Sequence, residues 1–302
     1  MTEQRRGFIL GATAYTLWGS FPLYWPLLEP AGPGEILAHR IVWSLVVVSG
    51  LLVLRRRVGS LRQALTNRRS MLALVIAAVV IGINWFTFIY GVNSGRVVET
   101  SLGYFINPLV TVLIGVLLLG ERLRRPQWVA LGVALVAVVW LAFDYGRPPW
   151  IALVLAFSFG TYGLAKKKAN AGAVEGLAVE SVVLAPAALL YLGFLHQAGQ
   201  GEFTAHGWPF ALLLTTTGIV TAAPLLCFGA AATRVSLTTI GMLQYITPSL
   251  QFAVGVLVYD EPMSPARWAG FVLVWIALAI LTAEAISHRR RALRRAAVAA
   301  AA

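Results

Sequence analysis

Three ionisable side chains lie close together in an otherwise apolar stretch of the sequence. Glu35 and His39 are four residues apart and share one face of a helix, while Arg40 lies about 100° round from His39. If this apolar stretch crosses a bilayer, a charge at its centre costs roughly 2.5–3.5 kcal/mol, so each of the three side chains needs a function or a partner. We predict that His39 and Arg40 line a substrate cavity, with His39 and Glu35 as candidate proton carriers. In the alternative, Glu35 is interfacial, Arg40 pairs with it or extends outward, and His39 only bridges helices.

Two prolines interrupt apolar stretches that are otherwise typical of helices. Pro108 and Pro248 have no N–H group, so the carbonyls of Tyr104 and Gln244 lose their helical partners. Inside a membrane, a freed carbonyl must be satisfied by another helix, by water or by a ligand. The polar side chains beside the prolines are therefore predicted to line a cavity: Tyr104, Asn107, Gln244 and Tyr245. In the alternative, the prolines only shape kinks that help the helices to pack.

Four further polar or aromatic residues are candidates for function. Asn84 and Trp85 lie midway along one apolar stretch, where Asn84 contacts substrate or bridges to another helix. Trp18 lies deep enough to stack on a substrate. Glu180 is a candidate proton carrier, and pairing with a cytoplasmic lysine is the alternative. Trp25 lies near the end of its stretch and is predicted to be an anchor at the membrane interface.

The composition indicates a membrane protein. Of 302 residues, 59% are hydrophobic and 12% are charged, whereas a soluble domain carries about 25% charged residues. The apolar residues fall into blocks of the length that crosses a bilayer. We predict an all-α integral membrane protein with ten transmembrane helices, at about 7–28, 35–54, 71–91, 99–119, 127–145, 149–165, 175–195, 208–229, 236–258 and 266–286.

Lysine and arginine predict the orientation of the chain. With the N-terminus in the cytoplasm, all but four of the 24 lysines and arginines fall on the cytoplasmic side. The exceptions are Arg40, Arg96, Arg147 and Arg267. Both termini are therefore expected in the cytoplasm, in a multi-pass protein of the plasma membrane that is more simply a monomer than an oligomer. The net charge of +12 follows this topology, so no nucleic-acid partner is expected.

The second half of the sequence repeats the first. Seven positions between 105 and 128 carry the same residue 140 positions later, among them Pro108 and Pro248. We predict a first repeat at 1–146, a second at 147–286 and a basic cytoplasmic tail at 287–302. Because each repeat has five spans, the second enters the membrane inverted, as in many secondary transporters. Glu121 is then expected to face the cytoplasm and Glu261 the outside.

Long motifs give a more specific indication. The segments WGSFPLYW, EILAHRIVWS, ETSLGYFINPLV and GIVTAAPLLCFGAAATR resemble the EamA family of the drug/metabolite transporter superfamily, and the resemblance covers about residues 7–285. It implies a permease of ten helices in two inverted five-helix repeats, with a central cavity between them. It also implies export of small metabolites, amino-acid-like compounds or drugs such as chloramphenicol. It carries over no catalytic residue.

The sequence favours a secondary transporter that works by alternating access. There is no phosphate-binding loop, so the energy must come from a gradient. Proton antiport through His39 or a buried glutamate and facilitated diffusion fit the sequence equally well. An intramembrane enzyme is not expected, because the spans contain neither H-E-x-x-H nor G-x-S-x-G. No metal or cofactor is expected either, since Cys227 is the only cysteine and His39 the only histidine deep in a span. A non-transporting membrane receptor or scaffold is the alternative.

Overall fold

A computed structural model describes residues 2–54, 68–120, 122–169 and 173–301. These residues form helices joined by short loops. The twelve α-helices in the described ranges, α1 to α12, are Glu3–Gly19, Phe21–Tyr24, Pro33–Leu54, Arg68–Asn93, Val97–Leu119, Arg125–Asp144, Trp150–Ala169, Ala173–Gln197, Gly207–Ala232, Leu237–Leu243, Ile246–Leu257 and Pro265–Ala301. A 3₁₀ turn, Trp25–Leu28, follows α2. Some residues used in the sequence predictions lie outside the described ranges, namely Glu121, Arg55, Arg56, Arg57 and Arg62.

Eight of these helical segments are long and apolar enough to cross a bilayer. They are Pro33–Leu54, Ser70–Asn93, Val97–Leu118, Arg125–Asp144, Val174–Gln197, Gly207–Ala232, Thr239–Leu257 and Pro265–His288. The predicted spans 7–28 and 149–165 correspond to α1 with the short segments after it, and to α7. Helix α1 has only 17 residues, and α7 ends in three lysines. The chain is therefore an all-helical, multi-pass membrane protein, and its count of ten spans stays a prediction.

Local sequence signals set several helix ends. The Thr2 hydroxyl accepts the backbone N–H of Arg5 at 3.3 Å, and the Ser236 hydroxyl accepts that of Thr239 at 3.2 Å. Each satisfies an amide that has no partner within its helix. Helix α5 ends at Leu119, and the next residue, Gly120, has a φ of 66° that glycine adopts easily because it has no Cβ.

The main packing contacts join residues before 146 to residues after 147. Helix α4 packs on α7, α6 on α12, and α5 on α7. Helix α3 packs on both α8 and α9, and α9 also packs on α1. One buried cluster shows the same feature, since Leu102, Leu109 and Leu141 meet Phe252 and Phe271 there. The hydrophobic core of the protein thus lies between the two halves of the chain.

Ion pairs lie at both ends of the helix bundle. At one end, which we call the Glu99 end, Glu99 pairs with Arg147 at 2.6 Å and Asp144 with Arg267 at 2.9 Å. At the opposite end, the Lys166 end, the pairs are Lys166 with Glu180, Arg124 with Glu284, and Arg234 with Glu3. Most of these pairs hold one half of the chain against the other.

The two proline-containing spans differ in the structure. Helix α5 continues through Pro108. The corresponding span, 236–258, consists of two helices, because α10 ends at Leu243 and α11 begins at Ile246. Pro248 is therefore in the first turn of α11, where the missing N–H has no intrahelical partner to lose. The prediction of one kinked helix in each half is wrong for the second half, where the span is two helices, and stays a prediction for α5.

Candidate functional site

A buried arginine lies at the meeting point of five segments. Arg40, on α3, is 3% exposed and donates from Nε to the Thr221 hydroxyl of α9 at 3.0 Å. Its guanidinium carbon lies 4.0 Å from the centre of the Trp85 ring and 5.1 Å from that of Trp25. Phe21 contributes a third ring at 5.8 Å. Among the described residues, no carboxylate lies within 4.0 Å of Arg40.

The fold places Arg40 deep between the halves of the chain. Arg40 is seven residues into α3, so it lies about 10 Å from the start of that helix. Helices α3 and α9 approach closely there because Gly218 lies against the backbone of Trp43. The aromatic faces of Trp85 and Trp25 attract the guanidinium through their negative π surfaces. The predicted alternative, in which Arg40 pairs with Glu35, does not occur.

The prediction for Trp25 as an interface anchor is wrong. Trp25 is completely buried, and its ring faces Arg40. The residues around it form a short α-helix and a 3₁₀ turn rather than the end of a long helix, which turns the indole inward. Its position in the sequence gave no sign of this, because the partner is 15 residues away on another helix.

Asn84 and Asn107 both connect helices. Asn84, on α4, donates to the Leu155 carbonyl at 3.1 Å and the Ser158 hydroxyl at 3.0 Å, and it accepts the Tyr104 hydroxyl at 3.2 Å. Asn107 donates to the Ala156 carbonyl at 3.1 Å. The amide of Asn84 is thus satisfied inside the protein, which favours the helix-bridging alternative for that residue. Tyr104 packs against the buried cluster that contains Phe21 and Trp25, whose rings lie beside Arg40.

Glu35 and His39 lie toward the Glu99 end, beside a loop that the sequence did not implicate. Glu35 accepts the backbone N–H of Glu202 at 2.8 Å, and the His39 ring stacks on Phe203 at 4.7 Å between centres. The His39 Nε2 atom is 3.9 Å from Glu35, which is too long for a hydrogen bond, and it has no partner in the described structure. Glu35 therefore holds the loop, and the role of His39 as a proton carrier stays a prediction.

Glu180 lies at the Lys166 end and is 1% exposed. It accepts from Lys166 at 2.9 Å and from the Tyr162 hydroxyl at 3.4 Å. This arrangement favours the alternative of a structural pair with a lysine over a proton carrier.

Replacing Lys166 with methionine is expected to destabilise the protein by about 3 kcal/mol, because it leaves the Glu180 carboxylate buried without its cation. Glu180→Gln keeps the size of the side chain and removes the buried charge, so it is expected to cost less. Thermal melting of both variants in detergent measures the difference. If Glu180→Gln proved the more damaging change, the pairing would not be what keeps Glu180 in place.

The remaining candidates do not join Arg40. Tyr245 lines a groove of about 430 Å³ with Phe105 and Trp275, and its hydroxyl lies 3.2 Å from that of Thr282. Trp18 packs on Tyr15 and Phe228, 5.5 and 5.8 Å between ring centres. Gln244 caps α10. The structure thus groups Arg40 with Trp85 and places both Tyr104 and Trp18 against the cluster of Phe21 and Trp25 beside it. Gln244 and Tyr245 make no contact with Arg40 in the described structure. No cluster of possible metal ligands occurs among the described residues.

A loop carboxylate caps a helix of the other half. Glu261 accepts the backbone N–H groups of Val97 and Val98, the second at 3.0 Å, at the start of α5. A carboxylate there meets amides without helical partners and the positive end of the helix dipole. Glu261 therefore helps to hold the Glu99 end together.

We predict that Glu261 stabilises the protein more in acid than at neutral pH. Burial raises the pKa of Glu261 above its usual value of 4.5, although the Val98 and Val97 amides and Arg267 lower it. The folded protein then binds the proton more tightly than the unfolded chain, so this contribution is full below pH 4.5 and is lost as pH rises through the raised pKa. The melting temperature should fall across that window in the wild type and fall less in Glu261→Gln. Equal slopes would contradict this assignment.

These features define a class of protein. An all-helical chain with eight helices able to cross the bilayer, and with a polar centre buried between them, has the architecture of a multi-pass membrane transporter. The sequence profile of the EamA-like transporter family matches residues 5–143 and, separately, residues 148–283. The chain belongs to the EamA family, which confirms the resemblance carried by its motifs. It is a membrane transporter, with a small-molecule substrate and the lipid bilayer as its surroundings.

Relatives and one solved structure agree with this assignment. "Protein RarD" of Streptomyces exfoliatus is 57% identical over 289 residues, which are 96% of this chain and 92% of that protein. "Uncharacterized transporter YojE" of Bacillus subtilis is 43% identical over 293 residues, 95% of this chain and 97% of that protein. A structure described only as "Crystal structure of protein" superposes with a TM-score of 0.57 at 20% identity, over 91% of this chain and 96% of that one. The last similarity concerns the fold alone.

Proposed function

We propose that this protein is a secondary transporter that works by alternating access around a site between two inverted repeats, 1–146 and 147–286. The observation that carries the proposal is the Arg40 site, because α3 and α4 of the first half and α9 of the second build it together. The packing of helices across the two halves supports the division, and so does the separate match of each half to one family profile. The proposal also takes four features from the sequence predictions: ten membrane spans, cytoplasmic termini, a basic tail at 287–302 and a monomeric state.

Alternating access requires one end of the bundle to open while the other stays closed. At the Glu99 end, contacts between the halves keep the bundle closed: Asp144 binds Arg267 and Ser264, and Glu261 binds the start of α5. We infer that these contacts separate when the site opens to the outside, and that those at the Lys166 end separate when it opens to the cytoplasm. Arg40, Trp85 and Tyr104 form the centre of the site in this proposal, with His39 as the candidate for proton coupling.

The cargo proposed from the family resemblance is a small metabolite, an amino-acid-like compound or a drug such as chloramphenicol, moved outward. The groove beside Tyr245 is the second place where a ligand could lie. The receptor or scaffold alternative has no feature of the described structure in its favour, since it gives no reason for a buried cation between the halves.

A cross-link between the halves tests alternating access. Cysteines at Asp144 and Ser264, whose side chains meet at 2.5 Å, would be joined by a short reagent in a Cys227→Ser background after reconstitution into liposomes. Flux of labelled chloramphenicol, phenylalanine and phenylacetate should be measurable before cross-linking and abolished after it. The two single-cysteine variants, treated alike, are the controls. Flux that survives complete cross-linking would contradict alternating access, and an absence of flux for any solute would favour the scaffold.

A further inference from the structure

Arg40 differs from the other charged groups inside the protein. Among the described residues it is the one buried lysine or arginine. The buried carboxylates whose contacts are known all have partners: Glu99 has Arg147, Glu180 has Lys166, Glu284 has Arg124, and Glu35 has the Glu202 amide. Arg40 has aromatic faces and one hydroxyl, so its charge is solvated in part and neutralised by no acidic group in the described chain.

A buried charge without a counter-charge destabilises the folded protein. Such a charge inside a membrane protein indicates a functional site, where a ligand of opposite charge can supply the missing partner. Guanidinium groups carry five N–H donors in a planar fork, and Nε alone is occupied by Thr221 in the described structure. The remaining donors match the two oxygens of a carboxylate. Arg40 therefore has the chemistry of an anion receptor.

Hydrogen-bond donors without partners near Arg40 also indicate an anionic ligand. The indole N–H of Trp25 is buried with no hydrogen-bond partner in the described structure, although its ring lies 5.1 Å from the guanidinium. The Ser44 hydroxyl, one helical turn from Arg40 on the same face of α3, is also buried without one. An indole N–H can only donate, so the group that completes the site must offer acceptors.

The surroundings also restrict the rest of the ligand. The ammonium group of an amino acid would need a carboxylate or other acceptors close to Arg40. Glu35 is the acidic residue nearest to Arg40 in the sequence, but it is bound to the Glu202 amide and lies more than 4.0 Å from the guanidinium. The rings of Phe21, Trp25 and Trp85 surround the guanidinium, whose positive charge already takes up their negative π faces and repels a second cation. An apolar or aromatic body therefore fits these surroundings better than an ammonium group.

We propose that Arg40 binds the carboxylate of a small organic anion with an aromatic or apolar body, in preference to zwitterions, cations and neutral compounds. This inference rests on the proposed function and narrows its cargo to small metabolites with a carboxylate and no ammonium group, in place of the amino-acid-like compounds and chloramphenicol that the family resemblance implies. The Trp85 ring lies against the guanidinium and limits its movement. The hydrogen bond from Nε to the Thr221 hydroxyl fixes its orientation.

The test uses four probes that share a phenyl ring and differ in charge: phenylacetate, phenylacetamide, phenylalanine and phenethylamine. Each is titrated into the purified, full-length protein in detergent, and the melting temperature is measured, because a ligand that binds the folded state raises it by mass action. Phenylacetate is expected to give the largest rise. Arg40→Gln should weaken its binding about 10- to 100-fold. Arg40→Lys should restore part of it, since lysine keeps the charge and loses the planar fork.

A matched control removes one positive charge elsewhere. Lys168 is exposed at the end of α7, and Lys168→Gln should bind phenylacetate like the wild type. Preferential binding of phenylalanine or phenylacetamide, or equal binding of phenylacetate by Arg40→Gln, would overturn the anion assignment. Flux of a neutral or zwitterionic solute that Arg40→Gln leaves unchanged would also overturn it while leaving the transporter function intact. An absence of all flux would count against the proposed function itself.

A second measurement needs no ligand. If Arg40 is kept for binding, the neutral variant Arg40→Met should melt at or above the temperature of the unliganded wild type, because it removes an uncompensated buried charge. A fall of several degrees in Arg40→Met would show that the aromatic rings and Thr221 make Arg40 a structural cation, and it would overturn the proposal.

Discussion

Replacing Gly218 with alanine is expected to cost about 3 kcal/mol of stability, because the added methyl group has no space. A Cβ at Gly218 would overlap the carbonyl oxygen of Trp43 and lie 2.5 Å from its carbonyl carbon. Both atoms belong to backbone, so helices α3 and α9 would have to move apart. Thermal melting in detergent, followed by tryptophan fluorescence, measures the loss.

The control for Gly218→Ala is a glycine with free space around it. Gly132 on α6 and Gly193 on α8 have no atom within 4 Å of an added Cβ. Alanine there should be neutral or stabilising by up to about 1 kcal/mol, because it is the better helix former. A melting temperature for Gly218→Ala equal to that of Gly132→Ala would mean that the two halves do not pack as closely as the structure indicates.

Arg147→Met is expected to destabilise the protein by about 3 kcal/mol, since it leaves Glu99 buried without a cation. Glu99 is 2% exposed, pairs with Arg147 at 2.6 Å and also accepts the Ile151 amide at 3.1 Å. The partial exposure of Arg147 places the effect at the lower end of the range for buried pairs.

A double-mutant cycle separates the pair from its surroundings. Glu99→Gln combined with Arg147→Met removes both charges and should recover part of the stability lost by Arg147→Met alone. Melting temperatures of the two single variants and the double variant supply the cycle. Strictly additive losses would indicate that Glu99 and Arg147 do not act on each other in the membrane.

The helices follow closely from the sequence, and their contacts do not. Blocks of apolar residues predicted the spans, because backbone groups in a bilayer must be satisfied within a helix. The division of span 236–258 at Gln244 was not predictable, since Pro108 in the related position leaves α5 continuous. Nothing in the local pattern distinguishes a proline within a helix from one that begins the next helix.

The candidate site was predictable as a set of residue types. Arg40 and Trp85 stood out as polar or aromatic groups deep in apolar stretches, and their contact at 4.0 Å joins two helices that are far apart in sequence. Thr221 lies in an apolar span with nothing beside it to mark it as a partner of Arg40, and Phe203 lies in a loop with no motif. Side chains that meet through tertiary packing leave no periodic signal, so one sequence cannot pair them.

The charge on Arg40 has a consequence for the energetics of the transport cycle. An empty site carries one positive charge, whereas a site that holds an organic anion is neutral, so a membrane potential acts on the empty form alone. A potential negative inside, worth up to about 2.3 kcal/mol per charge for each 100 mV crossed, favours the empty form that faces the cytoplasm. Voltage alone would then return the unloaded transporter inward and drive net export of anions. Collapsing the potential in liposomes should slow such a cycle, and a further slowing when the pH gradient is collapsed would indicate that His39 adds proton coupling.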